Sequence, residues 1–453
     1  MHYKHNLRAI TAAFTLLVAG TSVAGAKDRT SDVKQDAVPG QAQNVILFIG
    51  DGMGDSEITI ARNYHLGARG RLNLDKLPMT GEYTTFSVQE SNPSLPNYVP
   101  DSAATGTAWS TGQKTSNGRI STIAGSTTVT PLLTILEAAR IAGYKTGNVS
   151  TAEITDATPA VLASHVNDRG CQGPANMANC LIYKKLNGGP GSIAEQLVDH
   201  RIDVILGGGR ARFEQTIDGG PYAGQTVVQS ATAQNYYYVT DATGLATAGL
   251  NKRVLGLFAG GNMSLEWGGD LALPFPGSGP QTCLENQRPS NEPSLADMTT
   301  KAIELLEGRK SGKRGFFLQV EGASIDKQDH AANPCGQIGE TIAFDEAIKV
   351  ARKYAANHPR TLIVVTADHG HTSQIIDPPT SALQPGAFST LTTVDGAPMV
   401  VSYASAPVGA SQSHTGTEVR IAAQGPQGAN VTGITDQTDL FHTLARALGL
   451  NLN

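Results

Sequence analysis

Side chains of the types that bind divalent metal ions follow three apolar runs of this chain. Asp51 follows residues 44–50, Glu321 and Asp326 follow 315–320, Asp368 and His369 follow 362–367, and His330 and His414 stand further on. Carboxylates and imidazoles at the ends of buried strands are costly unless a cation binds them. The pattern therefore predicts two or three divalent metal ions and indicates a metallohydrolase.

Ser102 is a candidate for phosphate chemistry, because the small residues that follow it predict a helix. A helix N-terminus presents partial positive charge and free amide donors, which suit a phosphate group. The signal is weak by itself, since a serine at this position commonly serves only as a cap.

The composition predicts a folded enzyme-sized protein with one large α/β domain or two smaller ones. The chain has 453 residues, of which 40% are hydrophobic, so it can bury a sizeable core. Its net charge of −5 excludes the basic balance that is typical of nucleic-acid-binding proteins.

Residues 1–26 have the pattern of a cleaved export signal. Lys4 and Arg8 give a positive start, and residues 10–18 form an apolar stretch that is too short to span a bilayer. A retained N-terminal helix is the alternative. No second apolar run of spanning length follows, so we expect no membrane anchor in the mature protein.

The remaining chain divides into a polar segment at 27–42, which we expect to be a mobile arm, and a folded catalytic domain at 43–453. Loop signals are dense between about 209 and 291, which predicts an insertion or an irregular surface region there. Two domains remain an alternative, although metal-type residues spread from Asp51 to His414 favour one site built by one domain.

The four cysteines favour two disulfides, since an even count is typical of exported proteins. Three pairings are possible. Nearness favours Cys171 with Cys180, and Cys283 with Cys335 is the expected second pair. Zinc binding by these thiols is the less favoured alternative, because no Cys-x-x-Cys spacing is present.

Short and fully apolar runs predict strands that are buried on both faces of a parallel sheet. The runs are 45–49, 146–149, 204–206, 254–258, 316–320 and 362–365. Helical patterns separate them. The expected fold is an α/β three-layer sandwich, in which helices flank both faces of a large, mostly parallel central sheet.

Four helices are predicted from their caps and apolar stripes. They cover residues from Pro131 to about 142, with Thr130 as the cap, and about 294–306, 338–356 and 438–448. In open α/β sheets, ligands bind outside the carboxyl ends of the strands. The metal-type residues stand at those ends of the predicted strands.

Longer motifs surround these residues and resemble the bacterial alkaline phosphatases, which are periplasmic phosphomonoesterases. The motifs lie at 148–153, 156–160, 164–166 with Arg169, 320–330 and 366–369, together with Ser102 and His414. The resemblance covers nearly the whole chain after the signal. It implies an exported, periplasmic enzyme that hydrolyses phosphate monoesters at alkaline pH, and a homodimer in which the N-terminal arm contacts the partner.

The resemblance also implies two Zn²⁺ ions and one Mg²⁺ ion per subunit. It assigns Asp326, His330 and His414 to the first zinc, and Asp51, Asp368 and His369 to the second. It assigns the magnesium ion to Asp51, Thr158 and Glu321, with Asp156 acting through bound water. These ligand types agree with the preferences of the ions, since imidazole with carboxylate suits zinc and an all-oxygen site suits magnesium.

The implied reaction passes through a phosphoserine on Ser102. Arg169 would bind phosphoryl oxygens, Asp101 would orient Arg169, and Lys327 would support the phosphate through water. The structural alternatives are a surface arginine beside a disulfide and a solvated lysine. Two functional alternatives are a phosphodiesterase of the same superfamily and a periplasmic zinc- or phosphate-binding protein without turnover, which would need no serine beside its metals.

Other histidines are interpreted as structural or exposed, namely His65, His165, His200, His358 and His442. His371 is close enough to His369 to support the metal ligands indirectly. Gly370 replaces an alanine that is common in close relatives, and we hypothesise that its backbone freedom loosens the second zinc site.

Overall fold

The structure is a computed structural model that describes residues 40–308 and 314–452. The predicted export signal at 1–26 and nearly all of the predicted arm at 27–42 lie outside the described residues. The described chain enters the fold at Ala42, whose N–H donates to the carbonyl of Ala447 at 2.7 Å.

Sixteen strands, numbered in chain order, occur in the described residues. They are β1 (Asn44–Gly50), β2 (Met79–Thr84), β3 (Ser87–Val88), β4 (Pro96–Asn97), β5 (Lys145–Glu153), β6 (Val204–Gly208), β7 (Tyr236–Val239), β8 (Arg253–Leu257), β9 (Ser278–Gln281), β10 (Phe316–Gly322), β11 (Thr361–Ala367), β12 (Gln374–Ile376), β13 (Ala387–Thr392), β14 (Pro398–Tyr403), β15 (Val419–Gln424) and β16 (Gly433–Asp436). All six predicted strands are present.

Ten strands form the central sheet in the order β16-β2-β15-β11-β1-β10-β5-β6-β8-β7. Only β15 runs antiparallel to its neighbours among the described pairs of this sheet. The strands β1, β10 and β11 are buried along their whole length, as their unbroken apolar runs predict. The prediction of a large, mostly parallel sheet is confirmed.

Helices cover both faces of the sheet. They are α1 (Asp55–Leu66), α2 (Ser102–Thr111), α3 (Ile135–Ile141), α4 (Ala157–Ala160), α5 (Ile193–Asp199), α6 (Arg210–Phe213), α7 (Val227–Ala233), α8 (Ala242–Thr247), α9 (Leu295–Gly308), α10 (Ser324–His330), α11 (Pro334–Asn357) and α12 (Gln437–Ala447). Helices α9 and α11 pack on one face, and α3 and α4 pack on the other. Short 3₁₀ helices lie at Leu74–Lys76, Pro174–Asn179, Leu181–Tyr183, Lys185–Asn187, Gly220–Tyr222 and Gly428–Val431.

The predicted start of α3 is wrong by about one turn. Its cap is Thr134, whose hydroxyl accepts from the N–H of Glu137, while the Glu137 carboxylate accepts from the N–H of Thr134. This reciprocal pair is a capping box. It satisfies two backbone N–H groups at once, so the helix begins after Thr134 and not after Thr130, where the cap was predicted.

The loop-rich region 209–291 is more regular than its composition predicts. It contains β8 and also β7, which forms one edge of the central sheet. A second sheet, in the order β12-β14-β13-β9, takes its β9 from this region. Both favoured disulfides, Cys171–Cys180 and Cys283–Cys335, are present. Among the described helices, none is both long enough and apolar enough to cross a membrane.

Candidate metal centre

The central strands end together and bring the predicted metal ligands to one edge of the sheet. Gly50 of β1 pairs with Gly322 of β10 and with Ala367 of β11. Asp51 and Asp368 each follow one of these paired residues, so the register places them side by side. Glu321 is the second-last residue of β10, and α10 begins directly beyond it.

Asp326, His330 and His414 form the first cluster, with potential ligand atoms within 4.8 Å of one another. The Nδ1 of His414 lies 3.0 Å from the carbonyl of Pro100, and the Nδ1 of His330 contacts the carbonyl of Gln412. Because a carbonyl can only accept, each Nδ1 carries a proton and each neutral Nε2 presents a lone pair. These two Nε2 atoms lie 3.1 Å apart, which requires a shared cation or proton.

His371 joins this cluster in a different role. Its Nδ1 accepts a hydrogen bond of 2.9 Å from the N–H of Thr372, so the proton of a neutral ring is on Nε2. That Nε2 lies 3.2 Å from Oδ1 of Asp326. His371 therefore faces Asp326 with its N–H group, although the geometry is not that of a well-formed hydrogen bond.

Asp51, Asp368 and His369 form the second cluster, again with ligand atoms within 4.8 Å. Oδ1 of Asp368 accepts from the N–H groups of Gly52 and His369, both at 2.8 Å, which fixes this carboxylate. The Nε2 of His369 lies 3.2 Å from Oδ2 of Asp368 and 3.5 Å from Oδ1 of Asp51.

An oxygen-rich group lies beside the second cluster. Glu321 accepts a hydrogen bond from the hydroxyl of Ser150, while the buried Oγ1 of Thr158 has no hydrogen-bond partner within the described chain. Asp156 caps α4 by accepting from the N–H of Ala157 at 2.8 Å. The donor set is all oxygen, which suits Mg²⁺.

The buried carboxylates of the site favour the binding of cations. Burial and repulsion from Asp326 and Asp368 raise the pKa of Asp51 well above its usual value. Burial raises the pKa of Glu321 to about 8 and also raises that of Asp368. Oδ1 of Asp51, Oδ1 of Asp326, Oδ2 of Asp368 and Oγ1 of Thr158 are buried without a well-formed hydrogen bond among the described residues. Bound cations would satisfy these atoms, so the residues fit the expected metal ions.

Ser102 opens α2 at the mouth of this site. Asp101 is the cap, and its Oδ1 accepts from the N–H of Ala104 at 3.0 Å. The Oγ of Ser102 lies 3.3 Å from Nε2 of His369. The hydroxyl thus stands at a helix N-terminus, which stabilises negative charge on oxygen, and next to the second cluster, where a bound cation would have the same effect.

Two cations line the approach to Ser102. Arg169 contacts Oδ2 of Asp101 at 3.1 Å and Oδ1 of Asp156 at 2.8 Å, and Lys327 contacts Oδ2 of Asp156 at 2.9 Å. Burial would lower the pKa of Arg169 and of Lys327, but the nearby carboxylates outweigh it and raise both. Both groups therefore remain charged at alkaline pH.

The structure brings every predicted site residue to this one edge of the sheet. Ser150 was not predicted as a site residue, because a serine inside a strand offers no signal of its contact with Glu321. The contacts of the Pro100 and Gln412 carbonyls with the histidines could not be predicted either, because backbone groups have no sequence signature.

Gly370 lies where a side chain has little room. A Cβ there would stand 2.4 Å from Cγ2 of Thr417 and 3.0 Å from Oγ1 of Thr415. Its φ is not in the left-handed region, so close packing explains this glycine better than a need for backbone freedom.

A family model and several similar proteins agree on one family. A sequence model described as "Alkaline phosphatase" matches residues 42–410 and 402–450. The chain is 48% identical to streptomycin-6-phosphate phosphatase of Streptomyces griseus, over 97% of this chain and 96% of that protein. It is 52% identical to alkaline phosphatase H of Pseudomonas aeruginosa, over 94% and 89% of the two chains. The solved alkaline phosphatase of the Antarctic bacterium TAB5 superposes with a TM-score of 0.69 at 25% identity, covering 91% of this chain and all of that one.

Proposed function

The chain belongs to the alkaline phosphatase family and is a phosphate monoester hydrolase, and from this premise we propose how its residues perform the reaction. Ser102 is the nucleophile, and a phosphoserine is the covalent intermediate. The observation that carries the assignment is the position of its hydroxyl, at the N-terminus of α2 and 3.3 Å from His369.

We propose that the two clusters each hold one Zn²⁺ ion and that the oxygen-rich group holds one Mg²⁺ ion. Asp326, His330 and His414 would bind the first zinc, and Asp51, Asp368 and His369 the second. Asp51, Thr158 and Glu321 would bind magnesium, with Asp156 acting through water. When bound, such ions stabilise negative charge on the attacking, leaving and phosphoryl oxygens and lower the pKa of an oxygen that they hold.

Arg169 binds and orients the phosphoryl group in this proposal. Its contacts with Asp101 and Asp156 hold the planar guanidinium beside Ser102 and leave one N–H on each terminal nitrogen free to donate. Two parallel donors match two oxygens of a phosphate monoester dianion. A diester has one negative charge fewer, so this arrangement favours monoesters over the diesterase alternative.

Asp101 and Lys327 complete the phosphate site. Asp101 is a positioning residue, because it caps α2 and holds Arg169 through different oxygens. Lys327 lies 2.9 Å from Asp156 and adds a second positive charge, which we propose reaches the phosphate through water. A binding protein without turnover would need no serine hydroxyl between these cations and the metal ligands.

We further propose that the enzyme is an exported, periplasmic homodimer, with residues 1–26 as the signal and 27–42 as an arm that contacts the partner. Apolar side chains at one edge support a partner surface, since Tyr98 is 73% exposed and lies with Phe86 beside residues 415–418. Sedimentation of the mature protein would show the mass of two chains, whereas a single-chain mass at micromolar concentration would contradict the dimer.

The test of the catalytic proposal compares wild-type enzyme with Ser102→Ala on p-nitrophenyl phosphate. We expect the variant to lose several orders of magnitude in turnover while its zinc and magnesium contents stay unchanged. Acid quenching of wild-type enzyme with labelled phosphate should trap the label on Ser102. Equal activity of the variant, or label on another residue, would contradict the covalent step.

The metal proposal is tested by the elemental content of the purified enzyme, before and after chelation. We expect at least two zinc atoms and one magnesium atom per chain, and activity that returns only when both metals are restored. Full activity with either metal alone would contradict the assignment.

A further inference from the structure

A second group of potential metal ligands lies outside the catalytic centre. Glu137 of α3, His165 and His200 converge, and their ligand atoms lie within 4.8 Å of one another. The Nε2 of His165 and the Nε2 of His200 are each 3.0 Å from the same carboxylate atom, Oε1 of Glu137. The three residues come from separate segments, so only the fold brings them together.

The hydrogen bonds around this group determine where its protons are. The Nδ1 of His165 lies 2.9 Å from the carbonyl of Ser121, and the Nδ1 of His200 lies 2.6 Å from the carbonyl of Ala163. Each Nδ1 must donate, so each neutral Nε2 directs a lone pair at Glu137. Two lone pairs then face the same carboxylate oxygen at 3.0 Å, which is repulsive unless a cation or extra protons lie between these atoms.

The remaining carboxylate oxygen of Glu137 is already occupied. Oε2 accepts from the N–H of Thr134 at 2.9 Å as part of the cap of α3. This contact fixes the carboxylate and leaves Oε1 as the free ligand atom. Both imidazoles and the carboxylate are therefore held by partners outside the group, which is the arrangement found around protein metal sites.

The first cluster of the catalytic centre repeats this arrangement within the same molecule. There, His330 and His414 donate through Nδ1 to backbone carbonyls and direct Nε2 towards the carboxylate of Asp326. The Nε2-to-carboxylate separations there are 3.4 and 3.2 Å. Glu137, His165 and His200, which we call the outer group, likewise consist of one carboxylate and two imidazoles whose Nδ1 atoms contact backbone carbonyls outside the group.

We propose that Glu137, His165 and His200 bind one further divalent transition-metal ion, with Zn²⁺ as the best match. Zinc binds imidazole nitrogen and carboxylate oxygen at about 2.0–2.2 Å, and tetrahedral ligands then lie about 3.3 Å apart. The observed 3.0 Å separations need only a small expansion to accept it. His200 is 25% exposed, so solvent can reach the group and supply the fourth ligand.

The surrounding charges permit a cation here. Glu137 contributes the negative charge, and its carboxylate outweighs burial and raises the pKa of His200, whereas the charge of Arg140 acts in the opposite direction. Arg140 is exposed, so solvent screens its repulsion. Bound zinc would join α3, the segment that contains His165 and the end of α5, and would therefore stabilise the fold without touching the reacting atoms.

The first test is the zinc content of the complete enzyme, dialysed against a small excess of zinc. We expect His200→Ala to carry one zinc atom per chain fewer than wild type. His442→Ala, an exposed histidine on α12, is the matched control and should keep the wild-type content. Hydrolysis of p-nitrophenyl phosphate by both variants should equal that of wild type, which shows that the catalytic metals are intact.

Glu137→Gln is a second variant, which tests whether zinc is lost because a ligand is removed or only because the protein unfolds. Its amide oxygen can still cap α3, and its NH₂ group can donate to the imidazoles. We expect this variant to fold, to carry one zinc atom fewer, and to lose the part of the zinc-induced rise in Tm that is assigned to this site.

Anomalous diffraction at the zinc edge from wild-type crystals locates the ion directly. A peak between the three ligand atoms supports the proposal. Equal zinc contents in all variants without a peak at this group would overturn it, and the cluster would then be held by protons alone.

Discussion

Replacing Arg169 with alanine should separate monoester from diester hydrolysis. In the proposed site, the guanidinium donates two charge-assisted hydrogen bonds to the phosphoryl group while Asp101 and Asp156 hold it in place. Hydrogen bonds to charged groups contribute about 1.5–3 kcal/mol each, so two contribute about 3–6 kcal/mol. At about 1.4 kcal/mol per factor of ten, kcat/KM for a monoester should fall by about 10²- to 10⁴-fold.

The decrease in kcat/KM for the monoester has a second structural cause. Without Arg169, Asp101 keeps no cationic partner among the described contacts, and Asp156 keeps only Lys327. These carboxylates then repel a phosphate dianion more strongly than a diester monoanion. The decrease should therefore be larger for p-nitrophenyl phosphate than for its bis-ester.

The assay measures kcat/KM for both substrates in wild type, Arg169→Ala and a matched control, Arg212→Ala. Arg212 is also ion-paired, to Glu153 at 3.1 Å, and its side chain is 30% exposed compared with 32% for Arg169. We expect the control to behave as wild type and the metal content of all three proteins to be equal. A decrease below tenfold, or an equal decrease for both substrates, would refute the assigned role.

Three further outcomes follow from individual contacts. Asp101→Asn should raise KM and weaken inhibition by phosphate about tenfold at most, since it loosens Arg169 by one contact; unchanged phosphate inhibition would contradict this. Burial raises the pKa of Glu340 from 4.5 to about 8. The contribution of this group to the free energy of unfolding is therefore complete below pH 4.5 and is lost as pH rises through 8. In urea unfolding, Glu340→Gln should therefore stabilise the protein more at pH 9 than at pH 5, and a pH-independent difference would contradict the shift. Gly370→Ala should cost about 1 kcal/mol through contact with Thr417, and adding Thr417→Ser should restore the stability; purely additive effects would show that the contact is not responsible.

The apolar runs predicted the central strands and the edge of the sheet at which the expected metal ligands lie. Buried parallel strands read as continuous apolar segments, and their carboxyl ends meet at one edge. Asp51, Glu321 and Asp368 could thus be expected to come together before any contact was known, and β1, β10 and β11 are indeed neighbours. Local signals also predicted four of the twelve described helices, with the start of α3 wrong by about one turn, because caps and apolar stripes act within a few residues.

Features that depend on distant partners could not be predicted from the sequence, because they form only when remote segments pack together. The edge strand β7 forms because β8 offers it a ladder of hydrogen bonds, and its loop-rich surroundings hide this. The tautomers of His330 and His414 depend on carbonyls of Gln412 and Pro100, which no side-chain pattern reveals. The outer group was not predicted for the same reason, and His165 and His200 were expected to be structural or exposed. Their contacts with Glu137 form only in the folded chain. Hydrophobic periodicity is a property of neighbouring residues, whereas convergence of ligand atoms depends on how remote segments pack.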